Sequence, residues 1–341
     1  MKKIIVTGGS GFIGSNLIEF LLKKNYFIIN IDKSSYSANP YNVRNFKTKK
    51  NYLFFKLDIS KKEKVFKIIK KYKPVGIINL AAETHVDRSI DNPREFLNSN
   101  IMGVYSLLES LRKLKKSKSK VKLLHISTDE VYGDLPNNKK ADENYKYNPS
   151  SPYSASKASA DQMVKAYLRT YKINAMIAHP CNNYGPNQFP EKLIPKIIFN
   201  ILNNKFLPVY GKGKNSREWM YVGDTCDALY KIFLNSKIGE TYNIGTGKNL
   251  KNIDLVKMLI KIAKKQKIIL GKKTKIHYVQ DRPGHDVRYA LNSNKIIKKL
   301  NWKFRTSLSV GLMKTFNWYK QNQGFFKKIK KENYKRLGLK L

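Results

Sequence analysis

Acid is scarce in this chain: 24 Asp and Glu stand against 67 Lys and Arg over 341 residues, a formal charge of +43. Cysteine is scarcer, with only Cys181 and Cys226. Two thiols cannot build a disulfide framework, which fits a reducing cytoplasm. No apolar run reaches the roughly 18 to 20 residues that a membrane-spanning helix needs, so no membrane partner is expected. Met1-Lys2-Lys3 leads straight into a strand pattern and a glycine loop, so no cleaved leader is expected either. Arginine is thin as well, ten residues in all, and the lysines are strewn over helix-like stretches at 61–73, 113–120, 261–267 and 327–335. A field of this size draws polyanions at low salt. Without a helix-turn-helix, finger or stacking motif, however, the charge reads as solvated lysine faces, and no nucleic-acid partner is expected. The stretch 325–336 reads as a closing helix, with a basic surface helix as the alternative.

What is present is a core-forming pattern, with 41% apolar residues. Short β-branched runs at 4–7, 27–31, 53–57, 75–80, 121–127 and 175–179 predict strands. Amphipathic stretches at 12–24, 61–72, 94–114 and 154–171 predict the helices between them. Strand, helix, strand at this spacing predicts an α/β fold, a doubly wound parallel sheet of Rossmann type. Beyond Pro180 the rhythm breaks into Pro- and Gly-rich stretches, which predicts a smaller, interleaved C-terminal lobe. The expected division is 1–180 with 219–247 for a dinucleotide domain, and 181–218 with 248–341 for a substrate lobe.

The first strand runs into Gly8-Gly9-Ser10-Gly11-Phe12-Ile13-Gly14, whose spaced glycines permit a tight turn against a pyrophosphate at a helix N-terminus. Asp32 closes the second strand 24 residues after Gly8, where a carboxylate bonds ribose hydroxyls and repels a 2'-phosphate. NAD is therefore favoured over NADP, although Lys33 beside it can soften the repulsion. Asp58 and Ile59, at the end of the third strand, can reach the adenine.

Tyr153 and Lys157 stand four apart at a helix start, on one face. A phenol is a poor base at neutral pH unless an ammonium close by, or a cationic cofactor ring, favours the phenolate. The adjacent acids Asp129 and Glu130 stand 23 residues before this tyrosine, counted from Glu130. Neighbouring strand residues face opposite ways, so the two can share a substrate only if the backbone has left the strand after Ser127-Thr128. Like charges in a shielded site push one pKa up, leaving one acid protonated and its neighbour ionised. That division of labour suits an elimination of water, with a solvated loop pair as the plain alternative.

These residues carry a resemblance that covers nearly the whole chain. The sequence resembles the extended short-chain dehydrogenase/reductases, and most closely the dTDP-glucose 4,6-dehydratases. The matching stretches are Thr7-Gly-Gly-Ser-Gly-Phe-Ile-Gly14, Ala81-Ala-Glu-Thr-His-Val-Asp-Arg-Ser-Ile90, Ser127-Thr-Asp-Glu-Val-Tyr-Gly133, Ser151-Pro-Tyr-Ser-Ala-Ser-Lys157, Asn182-Asn-Tyr-Gly-Pro186, Phe189-Pro-Glu-Lys-Leu-Ile-Pro195 and Arg282-Pro-Gly-His-Asp286. The first and fourth mark the superfamily only. The Thr-Asp-Glu stretch is sharper: related epimerases lack the acid pair, and GDP-mannose dehydratases and UDP-glucuronate decarboxylases carry Ser at the position of Asp129. Departures from the pattern are Thr84 and Cys181, each where Ser is usual, Ser216-Arg-Glu-Trp219 in place of Val-Arg-Asp-Trp, and Gly223 where Glu is common.

The resemblance implies that Tyr153 and NAD oxidise the sugar at C4 while Thr128 holds the forming ketone. Glu130 then takes the C5 proton, Asp129 protonates the leaving C6 hydroxyl, and hydride returns to C6. It implies cofactor contacts from Gly8, Gly11, Phe12, Ile13, Gly14, Asp32, Lys33, Ser34, Ser35, Asp58, Ile59, Leu80, Ala81, Ala82, Glu83, Thr84, Ser99, Tyr153, Lys157 and Asn183. It implies nucleotide-sugar contacts from Thr84, Thr128, Asn182, Lys192, Leu193, Pro208, Val209, Tyr210, Arg217, Asn252, Asp281, Arg282, Pro283, Gly284 and His285. Arg217 and Lys192 suit a diphosphate, one as a fork and one as a point charge. His85 and His285 can equally be structural. A homodimer and no metal are also implied. The expectation is an NAD-dependent dehydratase acting on dTDP-glucose, with a UDP-sugar dehydratase or epimerase as the alternative, since thymine and uracil differ by one methyl, a contact of about 1–3 kcal/mol. A noncatalytic dinucleotide-binding or nucleic-acid-associated protein is the alternative of another class.

Overall fold

The computed structural model describes residues 1–115, 120–327 and 329. Twelve strands are found among them: β1 (Lys3–Thr7), β2 (Phe27–Asp32), β3 (Tyr52–Lys56), β4 (Gly76–Asn79), β5 (Lys122–Ile126), β6 (Ala175–Pro180), β7 (Asn182–Tyr184), β8 (Leu207–Tyr210), β9 (Ser216–Tyr221), β10 (Thr241–Ile244), β11 (Asn249–Lys251) and β12 (Ile276–Val279). Seven form one sheet in the order β10-β6-β5-β4-β1-β2-β3, and every pairing in it is parallel.

Alternation along each strand sorts side chains to two faces. Ile4, Val6, Ile28, Leu124 and Met176 pack in one core, while Ile5, Ile29, Leu123, Ala175 and Ile177 pack in the other. Both faces are therefore covered, as a parallel sheet requires, and burying each such Ile, Leu, Val or Met side chain contributes about 1.5–3 kcal/mol. Strand order reverses between β1 and β4, which opens a crevice at their C-terminal ends.

A second core gathers Ile194, Ile197, Leu255, Leu259, Phe316 and Tyr319 around the helices Leu193–Leu202, Asn252–Lys265 and Leu308–Gln321. Beside it stand two small sheets, β11-β9-β7 and β12-β8. The closing stretch expected at 325–336 begins as a short helix, Gly324–Lys327, and otherwise lies outside the described residues apart from residue 329. Among the described residues, no helix is long and apolar enough to cross a membrane.

Two local features position the site. The helix Pro152–Tyr171 starts on a reciprocal cap: Ser154 N donates to Ser151 Oγ at 3.1 Å, Ser151 N donates to Ser154 Oγ at 3.0 Å, and Pro152 takes the first turn. Tyr153 and Lys157 are thereby fixed at its buried start. The helix expected without interruption over 94–114 is instead split into Pro93–Phe96, a π-turn at Leu97–Met102, and Gly103–Lys115. The wide turn carries Asn100, which accepts from Glu83 N at 2.9 Å and donates to Glu83 O at 3.0 Å and Ser156 Oγ at 2.8 Å.

Candidate active site

A cavity of about 1070 Å³ runs from the sheet crevice to the second core. One end is the glycine loop. Gly8 has φ +70°, and a Cβ there would sit 2.7 Å from Ala81 N; at Gly14 it would sit 2.2 Å from Gly8 O. Neither position has room for a side chain, and the helix Phe12–Lys23 follows with no acid in its first turn and no side-chain cap on its N–H groups. Asp32 faces the loop, accepting from Ser10 N at 2.9 Å and Ser34 N at 2.7 Å. Burial raises its pKa against the pull of those two donors. This bare, anion-ready cradle beside a buried carboxylate fits the pyrophosphate and ribose of a dinucleotide.

Lys33 lines the cavity beside Asp32, with its ammonium engaged by other partners. Its ammonium is 2.8 Å from Glu83 Oε1 and donates to Ser99 Oγ at 2.6 Å. Glu83 lies behind the cavity wall, and Ser34 also stands back from it; the other expected cofactor contacts, including Ser35, Asp58, Ile59, Leu80, Ala81, Ala82, Thr84, Ser99 and Asn183, line the cavity.

All five expected catalytic residues, Thr128, Asp129, Glu130, Tyr153 and Lys157, line the middle of the same cavity. After β5 the chain stays extended through Thr128 and then turns as a short 3₁₀ helix, Asp129–Tyr132, so the adjacent acids are not on opposite faces of a strand. Thr128 caps that turn, accepting from Glu130 N at 3.3 Å and donating to Asp129 Oδ1 at 3.2 Å. Burial, then the charge of Glu130, lifts Asp129 well above the usual carboxylate range. Glu130 is less buried and lies 3.4 Å from the Tyr289 hydroxyl.

The expected ammonium support for a phenolate takes a different form. Lys157 Nζ donates to the Ile126 carbonyl at 2.6 Å, and burial lowers its pKa to about 8, with Asp161 opposing. Tyr153 is pushed up by burial and by Glu130, with Thr128 as the opposing hydrogen-bond partner. The chain's own groups therefore hold the phenol protonated. Beneath them, buried Asp161 is 2.9 Å from His179 Nε2 and 3.4 Å from His125 Nε2, and it accepts from Ser127 Oγ at 2.7 Å. Burial alone would raise Asp161, but the hydrogen bonds from the two histidines outweigh it and hold the carboxylate ionised.

The far end of the cavity receives Asn182, Lys192, Leu193, Pro208, Val209, Tyr210, Arg217, Asn252, Arg282 and His285. Asp281, Pro283 and Gly284 form the back of their loop; Asp281 accepts from Arg282 N at 2.9 Å and sits 2.5 Å from His285 Nδ1. Arg217 is not an open fork. It bonds the carbonyls of Ser216 (2.9 Å), Val287 (3.1 Å) and Asp286 (2.7 Å) and lies 4.1 Å over the Tyr289 ring, so it presents positive charge more than free N–H groups. His85 lines the cavity and caps the short helix Val86–Asp91: its Nδ1 accepts from Arg88 N at 3.3 Å, and burial with Lys192 nearby lowers it well below the usual range. Burial and Arg282 lower His285 to about 4. Cys181 is a buried thiol raised by burial, a packing residue.

Among the lining residues that the sequence reading did not assign, three make polar contacts within the site. Tyr289 touches Glu130 and donates to Asp286 at 2.5 Å. Glu191, raised to about 7 by burial, accepts from Tyr36 at 3.1 Å and Arg88 at 3.4 Å. Asp87 joins Arg282 and Tyr210. The only signal for two of them was membership of the matching stretches, Glu191 in Phe189-Pro-Glu-Lys and Asp87 in Thr-His-Val-Asp-Arg.

The chain is similar to known nucleotide-sugar dehydratases. A family model described as GDP-mannose 4,6 dehydratase matches residues 5–315. A dTDP-glucose 4,6-dehydratase from Escherichia coli is 42% identical over 359 residues, covering 99% of both chains. One from Neisseria meningitidis serogroup B is 40% identical, again covering 99% of both. Among solved structures, the dTDP-glucose 4,6-dehydratase of Bacillus anthracis in complex with NAD has a TM-score of 0.87 at 39% identity, with coverage of 97% of this chain and 100% of that one. The Streptomyces venezuelae enzyme with NAD and TYD bound has a TM-score of 0.89 at 35% identity, with coverage of 96% and 100%.

Proposed function

The chain belongs to the GDP-mannose 4,6 dehydratase family, and we infer from the site it carries that it converts dTDP-glucose to dTDP-4-keto-6-deoxyglucose with NAD as bound cofactor. The observation that carries this reading is a buried Asp129, its pKa lifted well above the usual carboxylate range by burial and by the adjacent Glu130, on the cavity wall that also holds Thr128 and Tyr153. Members with Ser in place of Asp129 would lack that acid.

The loop of Gly8, Gly11 and Gly14, with Asp32 and Lys157, would hold NAD, which when bound would supply a hydride acceptor for sugar C4, a donor for C6 and a cationic ring favouring the phenolate that the chain's own groups oppose at Tyr153. Tyr153 Oη takes the C4 hydroxyl proton, and Thr128 Oγ1 steadies the oxygen that becomes a ketone. That ketone acidifies C5–H, whose proton Glu130 takes. Asp129 gives its proton to the C6 hydroxyl as water leaves, and Glu130 returns a proton to C5. Lys192, Arg217 and Arg282 gather positive charge where a diphosphate would lie. Burial of Asp129 and Tyr153 keeps these proton carriers out of bulk water.

The division into a dinucleotide domain (1–180, 219–247) and a nucleotide-sugar lobe (181–218, 248–341) belongs to the same reading, supported by the separate core around Ile197 and Phe316. So do action as a homodimer, which would cover the half-exposed Leu97 and Met102, and a cytoplasmic setting, which suits two buried unpaired thiols. Incubation with dTDP-glucose in deuterated water should give a 4-keto-6-deoxy sugar labelled at C5. Recovery of unchanged substrate, or of a 4-epimer, would refute the assignment.

A further inference from the structure

The short helix Val86–Asp91 follows β4 and carries a carboxylate with two partners from the opposite side of the cavity. Asp87 Oδ1 accepts from Arg282 Nη1 at 3.2 Å, and Asp87 Oδ2 accepts from Tyr210 Oη at 2.6 Å. The partners are neighbours in space. Tyr210 ends β8, whose register sets it beside Val279 of β12, and Arg282 follows three residues later. One carboxylate, 3% exposed, thus ties the end of the small parallel sheet to the short helix that follows β4 of the main sheet.

All three residues line the cavity. Arg282 is half-buried, with 16% of its side chain exposed, and its buried Nε–H has no hydrogen-bond partner among the described residues. An unsatisfied buried N–H is costly, and the cost is removed when an anionic ligand accepts from it. A guanidinium held on one edge by a carboxylate keeps its direction, so its remaining donors point one way.

We infer that Asp87 is a positioning residue: by holding Arg282 and Tyr210 it aims the Arg282 guanidinium at the diphosphate of the nucleotide sugar. The inference rests on the dTDP-sugar reading above and adds to it a residue with no contact to the reacting atoms. Asp87 acts through Arg282. Its removal should cost substrate binding far more than chemistry.

Asp87→Asn keeps size and one acceptor while removing the charge. In the NAD-loaded protein, the Kd for dTDP by titration calorimetry and the KM for dTDP-glucose should each rise about tenfold or more, roughly 1.4 kcal/mol. Turnover at saturation and NAD content should stay near wild type, and Asp87→Glu should recover part of the affinity. In an Arg282→Gln background the Asp87→Asn change should add less than about twofold, because the two residues act as one unit. Additive losses, or equal damage to kcat, NAD content and melting temperature, would overturn the positioning role. If Asp87→Asn does not fold, Arg282→Gln alone decides: dTDP bound as tightly as by wild type would overturn it. Wild-type protein that binds no dTDP and turns over no dTDP-glucose would instead refute the functional reading.

Discussion

Thr128 Oγ1 donates to one oxygen of Asp129 at 3.2 Å, while the other, Oδ2, has no hydrogen-bond partner among the described residues. In the proposed reaction a carboxyl held at one oxygen keeps the other for the leaving group. The neighbouring Glu130 raises the pKa of Asp129 and is the base of that proposal.

Asp129→Asn should separate the two halves of the reaction. Oxidation at C4 does not use the acid, so reduced nicotinamide should accumulate in a single turnover, while water loss slows about 10²- to 10⁴-fold. Near-ultraviolet absorbance and product analysis would check this, and equal slowing of both halves would remove Asp129 from the role.

The same substitution should stabilise the fold. Native Asp129 holds its proton above the unfolded value of about 3.9, so the native state binds more protons there than the unfolded one. Wild-type stability is therefore lost as pH rises from the unfolded pKa toward the native one, at about 1.4 kcal/mol for each pH unit between them. Asparagine does not titrate, and at pH 8 the variant should melt about 2 °C or more above wild type in calorimetry. A lower melting temperature would contradict the burial argument.

Lys157 should titrate near 8, since burial penalises its charged form. Carbon-13 labelling of lysine with a pH series would read this directly. An unperturbed value of about 10.4 would mean that water reaches the ammonium.

Gly14→Ala should empty the cofactor end. Its methyl would meet the Gly8 carbonyl at 2.2 Å, and backbone cannot yield as a side-chain tip does. The purified variant should carry less than about half the wild-type NAD, with stability lower by about 1–3 kcal/mol. Full NAD content would show that the loop relaxes freely.

Asn100→Ala should loosen the wall behind Lys33. Both Glu83 backbone groups and the Ser156 hydroxyl lose their bonds to Asn100, and buried unsatisfied groups cost about 1–3 kcal/mol each. A melting temperature unchanged by the variant would mean that water replaces the amide.

The main sheet was legible because its strands alternate between two buried faces and its crossovers repeat. The glycine loop, Asp32 and the Thr128-Asp129-Glu130 run were legible because each is contiguous or at a fixed spacing. What escaped arrives through tertiary structure. Glu83, 50 residues from Lys33, neutralises it, and Tyr289 meets Glu130 across 159 positions. No local pattern encodes such a meeting. The use of Arg217 on carbonyls also depends on the loop at 286–287, which the pattern Arg-Glu-Trp does not reveal.

The π-turn at Leu97–Met102 has a consequence for length variation in this region. Each residue of an α-helix advances the chain by about 100°, so deleting one residue from the wide turn would restore ordinary winding and swing everything after it by that angle. Leu107, Leu108 and Leu111, all buried now, would rotate out of the core behind the sheet. The extra residue acts as a phase setting shared by Asn100 and the leucine face, so insertions and deletions should be far less tolerated here than conservative substitutions.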